Sequence, residues 1–371
     1  IHSESGSRFD ATTMQYDLMR IYGIGEFEQV LYRLHRTSED SGILSYEVTE
    51  DPRGPLYLSA GLNLRSDFQN DTDWNMLLNV TLRSIGQLGA EWRNEAILGS
   101  TQALLSEFYQ PLNHGGIFFV APTVGHRSEL QDLYDDKSHI AMYDVSTTEA
   151  KFDLGIQLRS YAELRVGPVW GNGKGEVDTG IAGLPEFDDD YVGPAFSFIV
   201  DRKDRTYFPR EGYYFATRGI FPVDEWGDVS FEKVSAEFSV NQSIDEHTLE
   251  LELRGGTDLG SDLPGYAQFT LGGPDSFSGL AQDQFRGSTL GVASLGYRYR
   301  LKQLPSQLGR GVYAVSRFDA GNVWVDNMDS DVRYGGSLGV GVDLNIGPLV
   351  LTYGMADGGY RSIYFSLGSE F

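Results

Sequence analysis

The sequence predicts a mainly β protein: a transmembrane barrel of about sixteen antiparallel strands, preceded by one small α+β domain. Three observations lead there. From Pro55 onward, apolar and polar residues alternate with a period of two. The polar set carries charges in mid-strand, as at Glu250, Glu252 and Arg254 between Leu249, Leu251 and Leu253. No apolar run reaches the roughly 18 residues of a membrane-spanning helix, so any crossing has to be made by strands.

Alternation alone describes any half-buried antiparallel sheet. Persistence and the polar face make the distinction. Strand patterns continue through residues 55–371 without a helical insertion. In a membrane barrel the polar face lines the lumen and the apolar face meets lipid. Composition agrees, since 21 Tyr, 21 Phe and 5 Trp suit interfacial girdles and 45 Gly suit turns. A net charge of −24 argues against nucleic-acid binding and fits solvated, Asp-rich loops. The absence of cysteine fits a compartment where free thiols are a liability. The chain opens on Ile1 with no charged-then-apolar leader, which gives the expectation that it is the C-terminal part of something longer.

Taken in order, Asp10 can cap a helix to about Tyr22, with Met14, Leu18 and Ile21 on one face. Gly23 and Gly25 end it. Phe27, Val30, Leu31 and Leu34 then repeat at helical spacing and predict a second helix. Ile43 to Glu50 alternates as a strand, and Pro52, Gly54 and Pro55 mark a boundary. The expected domains are therefore 1–54 and 55–371. Sixteen strand candidates follow, near 55–66, 75–86, 89–99, 102–110, 115–128, 137–159, 160–173, 191–201, 212–221, 229–242, 246–258, 288–301, 311–323, 334–346, 348–356 and 361–371. Each approaches or exceeds the ~9–11 residues of a tilted crossing. Short connections such as Gly347–Pro348 suit one rim. Long ones at 175–190 and 259–287 suit the external face.

Four segments together carry a family resemblance. "LGGPDSFSGL" (271–280) lies in the long connection before the fifth strand from the end, with Gly272, Gly273, Phe277, Ser278, Gly279 and Leu280. "FDAGNVW" (318–324) holds Asp319 and Gly321, two residues beyond Arg317 in the case of Asp319. "DRKDRTYFPREGYY" (201–214) holds Asp201, Asp204, Phe208, Pro209 and Gly212. The chain ends on Phe371 behind Phe365 and Leu367. In this order the segments resemble the Omp85 outer-membrane translocators and insertases: their inward-folded loop, their Asp-x-Gly wall strand, their conserved hairpin and their sorting signal. Residues 1–54, through "IYGIGEFEQVLYRL" and "SYEVTED", look like one POTRA domain incomplete at its start.

One such domain before the barrel is the pattern of patatin-like type Vd autotransporters. The resemblance thus implies a translocator for a fused N-terminal passenger, a patatin-like lipase outside this chain. A two-partner secretion transporter or a barrel-assembly insertase is the alternative, and a passive porin the rival from another class. The partners it implies are an unfolded passenger polypeptide, outer-membrane lipid and lipopolysaccharide, and the barrel-assembly machinery, with no nucleic acid and self-association left open. In such a family the first and last strands pair weakly; Gly359, Gly368 and the serines near them would weaken the last strand here.

No catalytic, cofactor or metal site is expected. The sequence has no G-x-S-x-G nucleophile elbow. The histidines at 2, 35, 114, 126, 139 and 247 lack metal-ligand spacing. Gly171 to Gly175 reads as a hairpin loop, not a phosphate loop. Asp188 to Asp190 reads as a solvated loop, ahead of a cation site shared with lipopolysaccharide phosphates.

One departure from the family is expected to matter. Ser278 stands where the loop arginine belongs, which leaves Asp319 in need of another partner. Arg317, on the same strand face, or lumenal water is the expected answer ahead of Arg286. The loop is accordingly expected to be tethered less firmly than is usual.

Overall fold

A computed structural model describes residues 2–22, 27–38, 41–50, 54–68, 72–86, 88–113, 115–180, 183–325 and 331–368. The chain begins with helix α1 (Ala11–Tyr22). Its cap is Asp10, whose carboxylate accepts the N–H groups of Thr12 and Thr13 at 3.4 and 2.9 Å. The buried Asp17 ties the unit together, accepting the Ser3 N–H at 2.9 Å and the Tyr46 hydroxyl at 3.2 Å.

The expected second helix is instead strand β1 (Phe27–Arg36), antiparallel to β2 (Gly42–Glu50). Phe27, Val30, Leu31 and Leu34 fit a helical stripe, but Val30, Tyr32 and Leu34 also fit period two. Their cross-strand partners are Val48, Tyr46 and Leu44. Aromatic and β-branched pairs favour the sheet, and a run of 10 residues is too short for periodicity alone to decide.

Sixteen strands then close into a barrel, in agreement with the alternation. They are β3 (Leu56–Ser66), β4 (Thr72–Ile85), β5 (Ala90–Gly99), β6 (Thr101–Pro111), β7 (Phe118–Asp135), β8 (Ser138–Leu158), β9 (Ala162–Gly180), β10 (Phe187–Asp201), β11 (Gly212–Ile220), β12 (Lys233–Ile244) and β13 (His247–Thr257). After a long connection containing the short ribbon β14 (Phe269–Leu271) and β15 (Phe285–Gly287), the wall resumes. It continues with β16 (Thr289–Gln303), β17 (Gly309–Trp324), β18 (Arg333–Leu344), β19 (Gly347–Ala356) and β20 (Tyr360–Gly368). Every neighbour is antiparallel, and β20 meets β3 to close the ring.

The outward face is apolar: Leu58, Leu104 and Leu338 are 66, 65 and 70 % exposed, the exposure a lipid-facing side chain has without its lipid. Trp92, Tyr213, Tyr297 and Tyr299 stand exposed toward one rim, Trp74, Trp170 and Tyr334 toward the other. Inside, charges are paired. Arg93 holds Glu107 and Glu91 at 2.9 and 2.8 Å, and Arg165 reaches Glu107 and Glu163 at 2.5 Å each.

The connection expected at 175–190 is largely wall. Gly175 pairs with Phe187, and Asp188, Asp189 and Asp190 pair with Lys174, Gly173 and Asn172. Asp188 to Asp190 is therefore strand, not loop. Likewise β7 runs to Asp135, past the expected end at 128. Above the membrane both faces of a sheet meet water, so apolar alternation stops while the hydrogen-bond ladder goes on. The 21 residues of β8 span about 70 Å at ~3.3 Å each, far more than a bilayer requires.

Candidate functional site: the inserted loop and the seam

The connection between β13 and β16 folds back into the barrel. Its tip, Gly272 to Leu280, sits against β17, β18, β19 and β20, with Phe277, Ser278 and Leu280 fully buried. The turn needs glycine. Gly273 and Gly279 have φ of +97° and +93°, and a Cβ on Gly279 would lie 2.3 Å from the Met355 carbonyl carbon. Gly279 thus lets two backbones touch.

Asp319 receives this tip. Its Oδ2 accepts the Ser278 N–H at 2.9 Å, and its Oδ1 meets Arg317 Nε at 2.7 Å. Arg317 goes on to Glu252 at 3.0 Å and to Ser294 Oγ at 2.8 Å. Arg286 points elsewhere, donating to Gln131 at 2.9 Å. Arg317 therefore stands in for the loop arginine from the wall, and Ser278 contributes its backbone N–H. The Ser278 hydroxyl donates to Ser337 at 3.1 Å.

The expected loose tether is not what the geometry gives. Gly279 N–H donates to Tyr364 Oη at 2.8 Å, while that hydroxyl donates to Leu280 O at 2.6 Å. Arg254 donates to Ser276 O, and Arg65 pairs with Asp275 at 2.9 Å. Backbone groups and wall side chains replace the missing side chain of the loop. Sequence reasoning missed Tyr364, Arg254 and Arg65 as anchors, although all three lay on the polar face of their alternating strands.

At the opposite rim, residues 202–211 also fold inward. Asp204 Oδ1 accepts the N–H groups of Arg210 and Glu211 at 2.8 and 3.2 Å. Burial alone would raise the Asp204 carboxyl, but these donors and Arg205 hold it below the ordinary carboxylate range. Phe208, at φ +47°, stacks on Tyr313 with centroids 4.9 Å apart, over Gly341. Arg298 donates to Pro209 O at 2.5 Å and to Asn241 at 2.7 Å. Asp201 caps the turn through the Lys203 N–H, and Gly212, at φ +108°, passes within a Cβ's reach of Arg202 O. Gly321 allows a similar approach of β17 to β16, where a Cβ would meet Gly291 O.

The seam joins Asn63, Leu64, Arg65 and Ser66 to Gly368, Leu367, Ser366 and Phe365. Among the described residues these four pairs are its whole ladder, whereas β17 and β18 pair from Gly309 to Gly321. Phe365 and Leu367 face Leu351 and Leu349 of β19; Phe371 lies outside the described residues, as does His114. Beside the seam is a cavity of about 580 Å³, lined by Asn63, Arg65, Asp73, Arg127, Glu129 and Asp283.

Comparison with known proteins agrees with this architecture. Residues 59–371 match the model of the Omp85 superfamily domain. BamA from Haemophilus ducreyi lacking POTRA domains 1–3 is similar in structure, with a TM-score of 0.75 and 15 % identity over 100 % of this chain and 80 % of that one. CdiB from Escherichia coli gives 0.62 and 15 % over 98 and 72 % of the two chains; CdiB from Acinetobacter baumannii gives 0.63 and 12 % over 99 and 70 %. Curated protein sequences give no match. The closed sixteen-strand wall with an inserted loop defines an outer-membrane β-barrel. The chain belongs to the Omp85 superfamily.

Proposed function

We propose that the chain is the translocator half of an autotransporter, carrying a fused upstream polypeptide across the bacterial outer membrane. The observation that carries this reading is the unequal closure of the barrel. Among the described residues fifteen junctions carry ladders of seven pairs or more, whereas the β20–β3 junction carries four and lies beside a cavity lined by Arg65, Asp73, Arg127, Glu129 and Asp132. A wall that parts there would admit an extended segment, whose backbone could pair with the freed edges whatever its sequence. The paired charges of the lumen, such as Arg93 with Glu107 and Arg165 with Glu163, offer such a segment a polar path.

In this reading residues 1–54 are a periplasmic POTRA domain. Supporting it are the helix packed on a two-stranded sheet and a likeness to the Haemophilus ducreyi structure that extends over the whole chain. The sheet edge of β1–β2 would hold the passenger before entry. The passenger is a patatin-like lipase supplied by residues before Ile1, a choice that rests on the single-domain arrangement. The chain itself does no chemistry and takes no cofactor. Transport of a separate partner, or insertion of other barrels, is the second reading, favoured by the fold shared with CdiB and BamA.

A reporter domain behind a signal peptide, fused to Ile1, tests the proposal in a Gram-negative host. Antibody binding to the reporter on intact cells is expected. A reporter retained in the periplasm while the barrel is assembled and heat-modifiable contradicts it. Surface exposure of a reporter supplied only in trans would favour the second reading. Lipase assays separate chain from parent: hydrolysis by residues 1–371 alone counts against the passenger assignment.

A further inference from the structure

The tip of the β7–β8 hairpin reaches across the barrel mouth. In the wall, β7 and β8 are separated from β20 by β3, β4, β5 and β6. Above the membrane they touch β20 directly. Lys137 Nζ donates to Gly358 O in the β19–β20 turn and stands 4.7 Å from the centre of the Tyr360 ring. The Tyr360 hydroxyl donates to the Asp136 carboxylate. From the inserted loop, Gln284 Nε2 donates to Asp136 O at 2.9 Å, and Phe285 packs edge-on against Tyr360 at 5.8 Å. Arg333 lies 4.0 Å over the Phe285 ring. Tyr360 is 7 % exposed, so this is a packed joint and not a surface brush.

The joint falls beyond the last seam pair among the described residues, Phe365 with Ser66. Among the described residues the β20–β3 ladder begins at Phe365, so it stops short of the outer end of β20 at Tyr360. We propose that the β7–β8 tip is an external strap that clasps the β19–β20 turn and holds the outer end of the seam shut. The strap closes a ring through β20, β3 and the strands up to β7. The outer ends of β3 and β20 cannot separate far unless it lets go. It rests on polar and cation–π contacts at a hairpin tip, each of modest strength, and so can release without unfolding the wall. The length of β7 and β8, unneeded for crossing the membrane, is what brings the tip to its target.

The inference rests on the seam as the moving part, and not on any passenger. The test is a distance measurement on the whole chain in lipid vesicles. The protein has no native cysteine, so Leu64→Cys and Leu349→Cys accept spin labels cleanly. These sites lie in one row across β3, β20 and β19, about 10 Å apart from the ~4.8 Å strand spacing. The parent should give mainly the short distance. Lys137→Ala and Tyr360→Phe should each raise the long-distance fraction several-fold, while Lys137→Arg should not. The double variant should exceed either single one little, because both remove one joint. Unchanged distances in the Lys137→Ala and Tyr360→Phe proteins, each heat-modifiable and therefore folded, overturn the strap. Tyr360→Phe loses only a hydroxyl and serves if Lys137→Ala fails to assemble. A reporter that is not displayed, alongside a seam that widens in these variants, would count against the transport reading and leave the strap standing.

Discussion

Asp319 is wholly buried, and Arg317 gives it a countercharge from two residues away on the same strand face. Removing the arginine strands a buried carboxylate on the single Ser278 N–H, at a cost of about 3–5 kcal/mol. Asp319→Asn keeps an acceptor for Ser278 and leaves Arg317 with Glu252, so about 1–2 kcal/mol is expected. Urea unfolding in detergent should rank Arg317→Ala below Asp319→Asn, with Arg286→Ala close to the parent. An Arg286→Ala protein as weak as Arg317→Ala would contradict the assignment. Parity made this pair legible in the sequence. The hydroxyl of Tyr364 was not, because period two says which face a residue takes and nothing about what arrives from a loop. Gly279→Ala tests the close approach at the tip. A Cβ there meets β19 backbone, so the loop should become protease-sensitive while Ser278→Ala stays protected.

Among the elements, the sixteen strands were readable because lipid on one side and water on the other impose alternation. That signal vanished where the wall left the membrane, so 175–190 read as a loop, and it was ambiguous in β1, where ten residues fit two periods. The functional weight falls accordingly on the true long connection. Deleting 259–287 should abolish display or maturation, whereas shortening the β9–β10 turn at 183–186 should leave both near normal in whole-cell antibody binding. Equal loss would argue that the inserted loop has no special part. The inward turn at 202–211 has a pH signature. The folded Asp204 carboxyl is depressed, so its stabilising effect is complete above the ordinary carboxylate pKa of ~3.9 and is lost only as pH falls through the lower folded value. Proteolysis of this turn should therefore stay slow at pH 5 and rise at stronger acidity, while Asp204→Asn should show raised cleavage without that pH dependence.

At the scale of the molecule, two inward-folded segments occupy the lumen from opposite rims, and among the described residues one junction of the wall is short. The inserted loop braces that junction through Tyr364 and Arg65, and the β7–β8 tip clasps it from outside. The proposed transport requires β3 and β20 to part. The most direct measurement is a reversible lock, Leu64→Cys with Leu367→Cys, across a pair in register. Each single variant is first checked for assembly, and surface exposure of the fused reporter is then followed with and without reductant. Display should fall to background in the oxidised protein and return on reduction. Full display through the oxidised seam would contradict the claim.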